Sequence, residues 1–467
     1  MRYLTLVSLL ATTSLSACGA VISAKANNSF TTLYAIKDVA VIDVKKGIAI
    51  PNQIVIIVND QITKIGEQVE IDIPRGATII DGHGLYLMPG LVDAHVHYFD
   101  APVFGRLMIA NGILLVRDTG MPNEYILPLR DKLNRGETLG PELITTGAIL
   151  DGDPPIIPSI SVGIKTPEQG RAEVRKQAAA GVDMIKTYSR LDKDVFLAIM
   201  DEAKKQNLKV VSHLPESIYI EDAATAGLGS SEHFNGFEKV IAKLLGEPVN
   251  LTFKGQAYDA GYFQRLGEVN PQELLKVYER IRASGVTLCP TVVTFKTLTN
   301  IDTYWGGSFP RNEYISPSVT DLWKSLWTQQ GNLPDFIWQN WMRMVIDLNK
   351  TGVPLMIGTD LMLPGIIPGY STHEEMVIWQ EAGIPPADIL RSATIVPAQF
   401  MDLDDRLGSV SEGKTASMVL VRANPLEDIN NAQQIESVFL RGQYFSREDL
   451  DRMLEEAKDL AQQPVQP

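Results

Sequence analysis

Two histidines placed one residue apart raise the question of what this chain can do chemically. The segment MPGLVDAHVHYFD, residues 88–100, ends an apolar run with His95 and His97. In a β-strand alternate side chains share a face, so these two imidazoles are predicted to share one face with Asp93, while the apolar residues between them face a covering helix. A packed core does not tolerate unpartnered polar groups. The polar face is therefore either exposed to water or used to hold something that imidazoles bind.

Other ionisable side chains follow further short apolar runs. His213 comes after KVVS, His233 after GSSE, Lys186 within DMIKTY and Asp360 after PLMIGT. In a closed parallel barrel the carboxyl ends of the strands meet at one mouth, where active sites form. Any one of these histidines alone would be better explained as a hydrogen-bonded core residue. Their shared position at strand ends instead predicts a joint site for zinc or a similar divalent ion.

The elements that must position these residues repeat along the middle of the chain. From about residue 88, helix-period segments alternate with short β runs across Gly or Asn turns, as in EQGRAEVRKQAAAGVDMIKTYS and DVFLAIMDEAKKQNLKVVSHLP. This repetition predicts a parallel sheet, either open or closed. We predict that residues 88–404 form this α/β region.

Short β runs also occupy both ends of the chain. VAVIDV and QIVIIV lie near the N-terminus, and SMVLVR and IESVFL near the C-terminus. We predict that residues 32–87 and 405–447 pair into one small β domain, and that residues 448–467 form a charged helix and a tail. Residues 245–268 and 298–336 interrupt the repeat and are rich in aromatic side chains. They either cover the ligand end or pack on the surface.

The N-terminal segment is typical of an exported protein. Residues 1–18 combine one positive charge, an apolar run and small residues, which predicts a signal peptide too short to span a membrane. The ending LSAC resembles a bacterial lipobox, so we expect Cys18 to carry a lipid anchor; a plain signal peptide is the alternative. Residues 19–31 would then be a tether, and the protein a periplasmic or cell-surface lipoprotein that contacts the membrane only through its anchor.

The amino-acid composition limits which classes of binding partner are expected. The chain has 467 residues, of which 45% are hydrophobic, an ordinary share for a globular protein. Its formal net charge of −14 argues against nucleic-acid binding. Cys289 is the one cysteine besides Cys18, so no disulfide framework is expected. The expected partner is a small-molecule substrate. A homo-oligomer is compatible with the sequence, which leaves the oligomeric state open.

Together these motifs resemble the amidohydrolase superfamily of metal-dependent hydrolases. PGLVDAHVH is similar to its first-strand HxH motif, and GKTASMVLVRANPLEDI to its closing β segment, where Ser417 replaces the usual Asp. GTDLMLPGIIPGYSTHEEM is similar to the imidazolonepropionase-like and prolidase-like branch. The resemblance covers nearly all of the mature chain. It implies a distorted (β/α)8 TIM barrel with a small β-sandwich domain built from the N- and C-terminal segments.

The resemblance also implies a set of metal ligands at matching positions. His95, His97 and Asp360 would hold a first metal ion, and His213 and His233 a second. Two zinc ions are the expected occupants, with Mn, Co or Fe as alternatives, because these ligand types serve all four metals.

Lys186 matches a fourth-strand lysine that relatives often carry in carboxylated form as a bridge between two metals. An unmodified lysine would place one cation beside another, which is unfavourable. Either the carbamate forms, or Lys186 points away and the site holds one metal.

The implied mechanism is hydrolysis of a C–N bond by metal-activated hydroxide. Asp360 would accept the proton of the water and pass it to the leaving nitrogen. Tyr188, two residues after Lys186, would either bind the substrate or its oxyanion, or serve as a wall of the barrel. The substrate would be an amide, a cyclic amide or a dipeptide.

The remaining ionisable residues near strand ends are predicted to have structural roles. Arg117 and Asp118 end the second strand and are expected to pair with neighbours, although they could bind a substrate carboxylate. His373 is expected to cap or orient loops, and His83 to lie in a turn of the β domain.

Two other functions are compatible with the same residues. One is a mononuclear deaminase or imidazolonepropionase-like hydrolase, which a single metal per chain would favour. The other is a surface lipoprotein that binds a substrate without catalysis, against which the retention of every expected ligand argues.

Overall fold

A computed structural model describes residues 32–67, 69–249, 260–299, 310–327, 335–361 and 363–463. The predicted signal peptide with Cys18, the tether 19–31, the last four residues and parts of both aromatic insertions lie outside the described residues. Among the described helices, none combines the length and apolar character that crossing a membrane requires.

The two ends of the chain build one eight-stranded sheet. Its strands are β1 (Leu33–Asp43), β2 (Ile48–Val58), β3 (Gln61–Glu67), β4 (Thr78–Asp81) and β5 (Tyr86–Pro89), followed by β15 (Met418–Val421), β16 (Ile435–Leu440) and β17 (Gln443–Phe445). The order is β17-β16-β15-β5-β1-β2-β3, with β4 paired to β1. Both faces of the sheet are apolar, since Val55 and Ile57 pack in one cluster while Ile54 and Ile56 pack in another. The antiparallel pairing of β15 with β5 joins the two segments.

The middle of the chain supplies parallel strands in two sheets. The first contains β6 (Leu91–Val96), β7 (Ile113–Asp118) and β8 (Glu142–Thr145). The second contains β9 (Ile149–Gly152), β10 (Ser161–Ile164), β11 (Met184–Thr187), β12 (Lys209–Ser212), β13 (Ser230–Glu232) and β14 (Thr287–Cys289), in the order β10-β9-β11-β12-β13-β14. The prediction of an α/β fold with parallel strands is therefore confirmed.

Helices connect these strands. In chain order they are α1 (Ala101–Ala110), α2 (Asn123–Asn134), α3 (Pro167–Ala180), α4 (Lys193–Lys205), α5 (Ile220–Thr225), α6 (Phe237–Leu244), α7 (Ala260–Gln264), α8 (Pro271–Ser284), α9 (Val292–Thr299), α10 (Pro317–Trp327), α11 (Asp335–Thr351), α12 (Tyr370–Glu381), α13 (Pro386–Ser392), α14 (Ile395–Phe400) and α15 (Arg447–Gln462). Two of the helices begin at sequence signals for a helix N-terminus. The side chains of Thr166 and Asn270 cap α3 and α8, and each helix has a proline in its first turn.

Backbone hydrogen bonds link the two parallel sheets at both sides. The amide of Asp183, just before β11, donates to the Thr145 carbonyl at the end of β8 at 2.9 Å. On the other side the segment 354–361 lies between β14 and β6: the amide of Met356 donates to Leu288 and that of Ala94 to Ile357. This segment carries Asp360, whose amide donates to the His95 carbonyl at 2.8 Å.

The strand that carries the two histidines is not regular, and one sequence prediction fails there. The carboxylate of Asp93 accepts hydrogen bonds from the hydroxyls of Thr359 and Thr372, so it faces α12 rather than sharing a face with the imidazoles. Val92 and Ala94 pack with side chains from the other parallel strands, and Val96 packs in a different cluster. A register shift between Asp93 and Val96 explains this, because a bulge reverses the faces beyond it.

Candidate metal centre

Three imidazoles surround one carboxylate at the carboxyl ends of the parallel strands. The Nε2 atoms of His95, His97 and His233 lie 3.3, 3.4 and 3.7 Å from carboxylate oxygens of Asp360. All three histidines are buried. Donor atoms of His95, His233 and Asp360 lie within 4.8 Å of one another, a spacing compatible with one shared ion.

Local backbone geometry helps to bring these groups together. His233 and Asp360 have φ angles of 57° and 56°, in the left-handed region that residues other than glycine rarely adopt. His233 directly follows β13, which ends at Glu232. In a regular strand the side chains of Glu232 and His233 would point to opposite faces. The left-handed turn at His233 instead lets both side chains lie next to His95. Backbone conformations of this kind cluster at functional sites.

Each imidazole of the predicted site engages a protein group through its Nδ1 atom. Nδ1 lies 2.7 Å from Glu232 Oε2 in His95, 2.9 Å from the Gly120 carbonyl oxygen in His97, 2.8 Å from the Ser189 hydroxyl in His213 and 2.6 Å from the Thr291 hydroxyl in His233. Histidines that bind metals commonly use their second nitrogen in this way, which fixes the tautomer and the ring orientation. With Nδ1 engaged, Nε2 is the ring nitrogen that remains to meet an ion in each histidine.

The partner of His95 belongs to a buried ion pair that sequence reasoning missed. Arg117 and Glu232 are both fully buried, and Arg117 Nη2 lies 2.9 Å from Glu232 Oε2. Burial alone would raise the pKa of Glu232, but Arg117 and then His95 hold that pKa well below its usual value. The sequence did predict that Arg117 pairs with a neighbour. The missed signal was Glu232 itself, a charge at the end of a buried strand that requires a buried opposite charge.

Lys186, His213 and Tyr188 form the other side of the site. Lys186 is 1% exposed, and within the described part of the chain its Nζ atom has no hydrogen-bond partner. Burial lowers the pKa of Lys186 to about 8. The Tyr188 ring packs against His213 with centroids 4.3 Å apart, and the His213 ring lies 5.6 Å from that of His233. All six predicted ligands therefore converge on one region.

The charges at the site suit cation binding. Burial lowers the pKa of His233 to about 3 and that of His213 well below its usual value, so both rings are neutral at neutral pH. Burial would raise the pKa of Asp360, but His233, His95 and His97 together hold it well below its usual value. Neutral imidazole and ionised carboxylate are the forms that bind metal ions.

Of the other ionisable residues named from the sequence, His373 and His83 lie away from this centre, whereas Asp118 lies next to it and accepts from the amide of Gly120, the partner of His97. Asp118 accepts from the Tyr98 amide and the Thr145 hydroxyl, which is a structural role. His373 lies in the first turn of α12. Its Nε2 atom is 2.8 Å from the carbonyl oxygen of Asn111, which directly follows α1, and this contact agrees with the predicted role of His373 in orienting a loop. His83 lies in a turn and pairs with Asp38.

With this geometry in place, comparison with known proteins gives the class of the chain. The sequence model of the Amidohydrolase family matches residues 86–444. The chain belongs to the Amidohydrolase family. The prediction of an amidohydrolase enzyme, a hydrolase of carbon–nitrogen bonds, is confirmed. A search of curated proteins finds no match.

Solved structures share the fold at low sequence identity. A bottromycin amidohydrolase is 21% identical, with a TM-score of 0.73 over 92% of this chain and 90% of its own. A Xaa-Pro dipeptidase with bound methionine is 19% identical, with a TM-score of 0.64 over 89% of this chain and 100% of its own. The ochratoxinase of A. niger is 18% identical, with a TM-score of 0.63 over 89% and 96%. At these identities the likeness establishes a common α/β fold.

Proposed function

We propose that this chain is a metal-dependent hydrolase that cleaves a C–N bond in an amide, a cyclic amide or a dipeptide. One observation carries the proposal: four imidazoles are each fixed through Nδ1, and the Nε2 atoms of three of them lie within 3.7 Å of Asp360. A buried carboxylate with this many imidazoles around it is the donor set expected for zinc or a similar ion.

The arrangement of donors supports a site for two ions. His95, His97 and Asp360 would hold one, and His213 and His233 the other. A divalent ion held here would supply Lewis acidity and would lower the pKa of a bound water molecule.

Lys186 supports the binuclear form of the proposal. A buried ammonium without a partner is costly, particularly beside cations. Within the described residues Lys186 Nζ has no hydrogen-bond partner, and its pKa of about 8 leaves part of the amine uncharged at neutral pH. The uncharged amine is the form that adds carbon dioxide. The N–C bond would form as the nitrogen releases a proton to solvent, and the resulting carbamate would carry a negative charge where the ammonium carries a positive one.

The remaining steps belong to side chains of this protein. Asp360 is ionised at neutral pH and lies against three imidazoles, so it can accept a proton and deliver it to the leaving nitrogen. Tyr188 is half-buried against His213 and would orient the substrate or its developing oxyanion.

The finer architecture belongs to the same proposal. We infer that the parallel strands close into a distorted (β/α)8 barrel over residues 88–404. The bonds from Asp183 to Thr145 and from segment 354–361 to both β14 and β6 support this closure. Residues 32–87 and 405–447 would form the β-sandwich domain, supported by the apolar clusters on both faces of the eight-stranded sheet.

We also propose that the protein is exported and anchored through Cys18. The lipobox-like LSAC ending supports this location. Mass spectrometry of the N-terminus from membranes would test it: a lipid-modified Cys18 is expected, and an unmodified N-terminus elsewhere would contradict it.

Hydrolysis of a defined panel tests the function. Purified protein would be incubated with Xaa-Pro and other dipeptides, N-acyl amino acids and cyclic amides, before and after chelation, beside an Asp360→Asn variant. Release of free amine that is lost on chelation, restored by zinc or manganese and strongly reduced in the variant is expected. Activity that survives complete chelation would contradict metal dependence.

A single-metal site is the second candidate, because His95, His233 and Asp360 alone form a compact donor group. One metal per chain with full activity would favour it.

A further inference from the structure

A buried ion pair connects two parallel strands that are not neighbours in either sheet. Arg117 lies on β7 and Glu232 at the end of β13, and Arg117 Nη2 is 3.0 and 2.9 Å from the two carboxylate oxygens. Both side chains are fully buried. Removing two charges from water has a high desolvation cost, and replacing such a pair by apolar residues is often neutral or stabilising. Stability alone therefore does not explain the pair.

The surroundings of Arg117 hold the carboxylate in one orientation. Arg117 Nε donates to the Ala94 carbonyl, and Nη1 donates to the Ser230 hydroxyl at 3.0 Å. Ser230 in turn donates to Glu232 Oε1 at 2.5 Å. The guanidinium lies 5.2 Å from the centre of the Phe400 ring, which covers one of its faces. With Oε1 occupied by Ser230, the other oxygen of Glu232 meets His95.

His95 is the exception among the four imidazoles at the site. Its Nδ1 atom lies 2.7 Å from a carboxylate, whereas the partners of His97, His213 and His233 are a carbonyl and two hydroxyls. A carboxylate accepts only, so it requires the proton on Nδ1 of His95. It also makes the opposite nitrogen a stronger ligand than a neutral partner does.

We propose that Arg117 and Glu232 are positioning residues that act on the metal site through His95. Arg117 holds the Glu232 carboxylate, Glu232 holds the proton of His95 on Nδ1, and Nε2 is thereby presented as a ligand next to Asp360. This inference rests on the proposed metal-dependent function and assigns a role in it to two residues outside the proposed ligand set.

The first test uses the wild-type protein without metal. Long-range ¹H–¹⁵N correlation spectra of ¹⁵N-histidine protein would report the protonated nitrogen of each of the six histidines, with His95 assigned from a His95→Gln variant. The expected result is a proton on Nδ1 of His95, with or without a second proton on Nε2, which faces the Asp360 carboxylate. A His95 ring that carries no proton on Nδ1 would overturn the proposal, whether or not the chain proves to bind metal.

The second test removes both charges together, because a single change would strand a buried charge and could prevent folding. Arg117→Met/Glu232→Gln keeps the volume of both side chains. Affinity for the tighter zinc ion would be measured by competition with a chromogenic chelator. The matched control is Glu142→Gln, which removes one partner of the Arg406–Glu142 ion pair at the start of β8, the opposite end from the site.

We expect the double variant to lose about 10- to 100-fold in zinc affinity, the range found for outer partners of metal ligands. His95 in the metal-free variant should show a mixture of tautomers, while the Glu142→Gln control keeps both wild-type properties. Unchanged affinity and tautomer in a folded double variant would overturn the proposal. Failure of the wild-type chain to retain zinc would instead overturn the proposed function, and the tautomer measurement would still decide this inference.

Discussion

The two sides of the candidate metal centre differ in how many of their side chains have hydrogen-bond partners that hold them in place. In the Asp360 half, formed by His95, His97 and Asp360, each imidazole has a fixed second partner and lies 3.3–3.4 Å from the shared carboxylate. In the Lys186 half, formed by Lys186, Tyr188 and His213, the amine is buried and has no hydrogen-bond partner within the described residues. The proposed ligands are therefore already in place on one side, whereas the proposed bridge on the other side would require a chemical change at Lys186. His233 lies between the two halves.

The largest expected effect is in the Asp360 half. Asp360→Asn keeps the shape but removes both the ligand charge and the proton acceptor. We expect kcat/KM to fall by about 10²- to 10⁴-fold, the contribution of a general base, with reduced metal retention. Hydrolysis of the best substrate from the panel and metal analysis would measure this. Activity within a few-fold of wild type would show that Asp360 is not the proton acceptor.

The buried Lys186 amine, which has no compensating partner among the described residues, should make the free energy of unfolding depend on pH. In metal-free, bicarbonate-free protein, burial lowers the pKa of Lys186 to about 8 from 10.5. Between these values the unfolded chain binds more protons than the folded chain, so the free energy of unfolding should rise with pH and lose this gain as pH falls through 8. Over this window the gain should be about 3 kcal/mol at most.

Urea unfolding at pH 7.5 and 9.5 would test this, with Lys186→Met as the reference. The wild type should gain stability relative to the variant at the higher pH. An equal change in the free energy of unfolding for the two proteins would show that burial of the Lys186 amine does not destabilise the fold. The two halves would then differ less than the structure indicates.

Neutral partners of the imidazoles should matter less than charged ones. Ser189→Ala removes the hydroxyl that bonds His213, and Thr291→Val removes the one that bonds His233. Each change loses one neutral hydrogen bond, about 0.5–1.5 kcal/mol, which predicts about 2- to 10-fold weaker zinc binding. Chelator competition would measure it. A loss above about 100-fold in either variant would mean that these hydroxyls do more than hold a ring.

The smallest effect is expected outside both halves. His83 is exposed in a turn and pairs only with Asp38 among the described residues. His83→Asn should leave metal content and kcat/KM unchanged. A loss of metal in this variant would show that metal analysis is detecting ions bound outside the centre.

Much of the arrangement could be predicted because it follows local patterns. Apolar runs that end in His95, His213, His233 and Asp360 mark strand ends, and parallel strands place those ends together. The helix–strand repeat gave the α/β class for the same reason. The pairing of both chain ends into one sheet followed from the β runs near each terminus.

The parts that could not be predicted depend on register and distance. A bulge in β6 moved Asp93 away from the histidines, and nothing in the alternation of LVDAHVH marks it. The contacts of Thr291 with His233 and of Glu232 with His95 join residues 58 and 137 positions apart. Hydroxyls and carboxylates are too common in the sequence for such partners to be chosen without the fold.

Metal content per chain tests the central claim most directly. Protein expressed from residue 19 onward and purified with bicarbonate present would be analysed beside Lys186→Ala, with folding checked by circular dichroism. We expect two equivalents of divalent metal in the wild type and one or fewer in the variant, because the proposed bridge between the halves is lost. One equivalent in both would contradict the role of Lys186, and none in either, with added zinc not retained, would contradict the metal-dependent hydrolase itself.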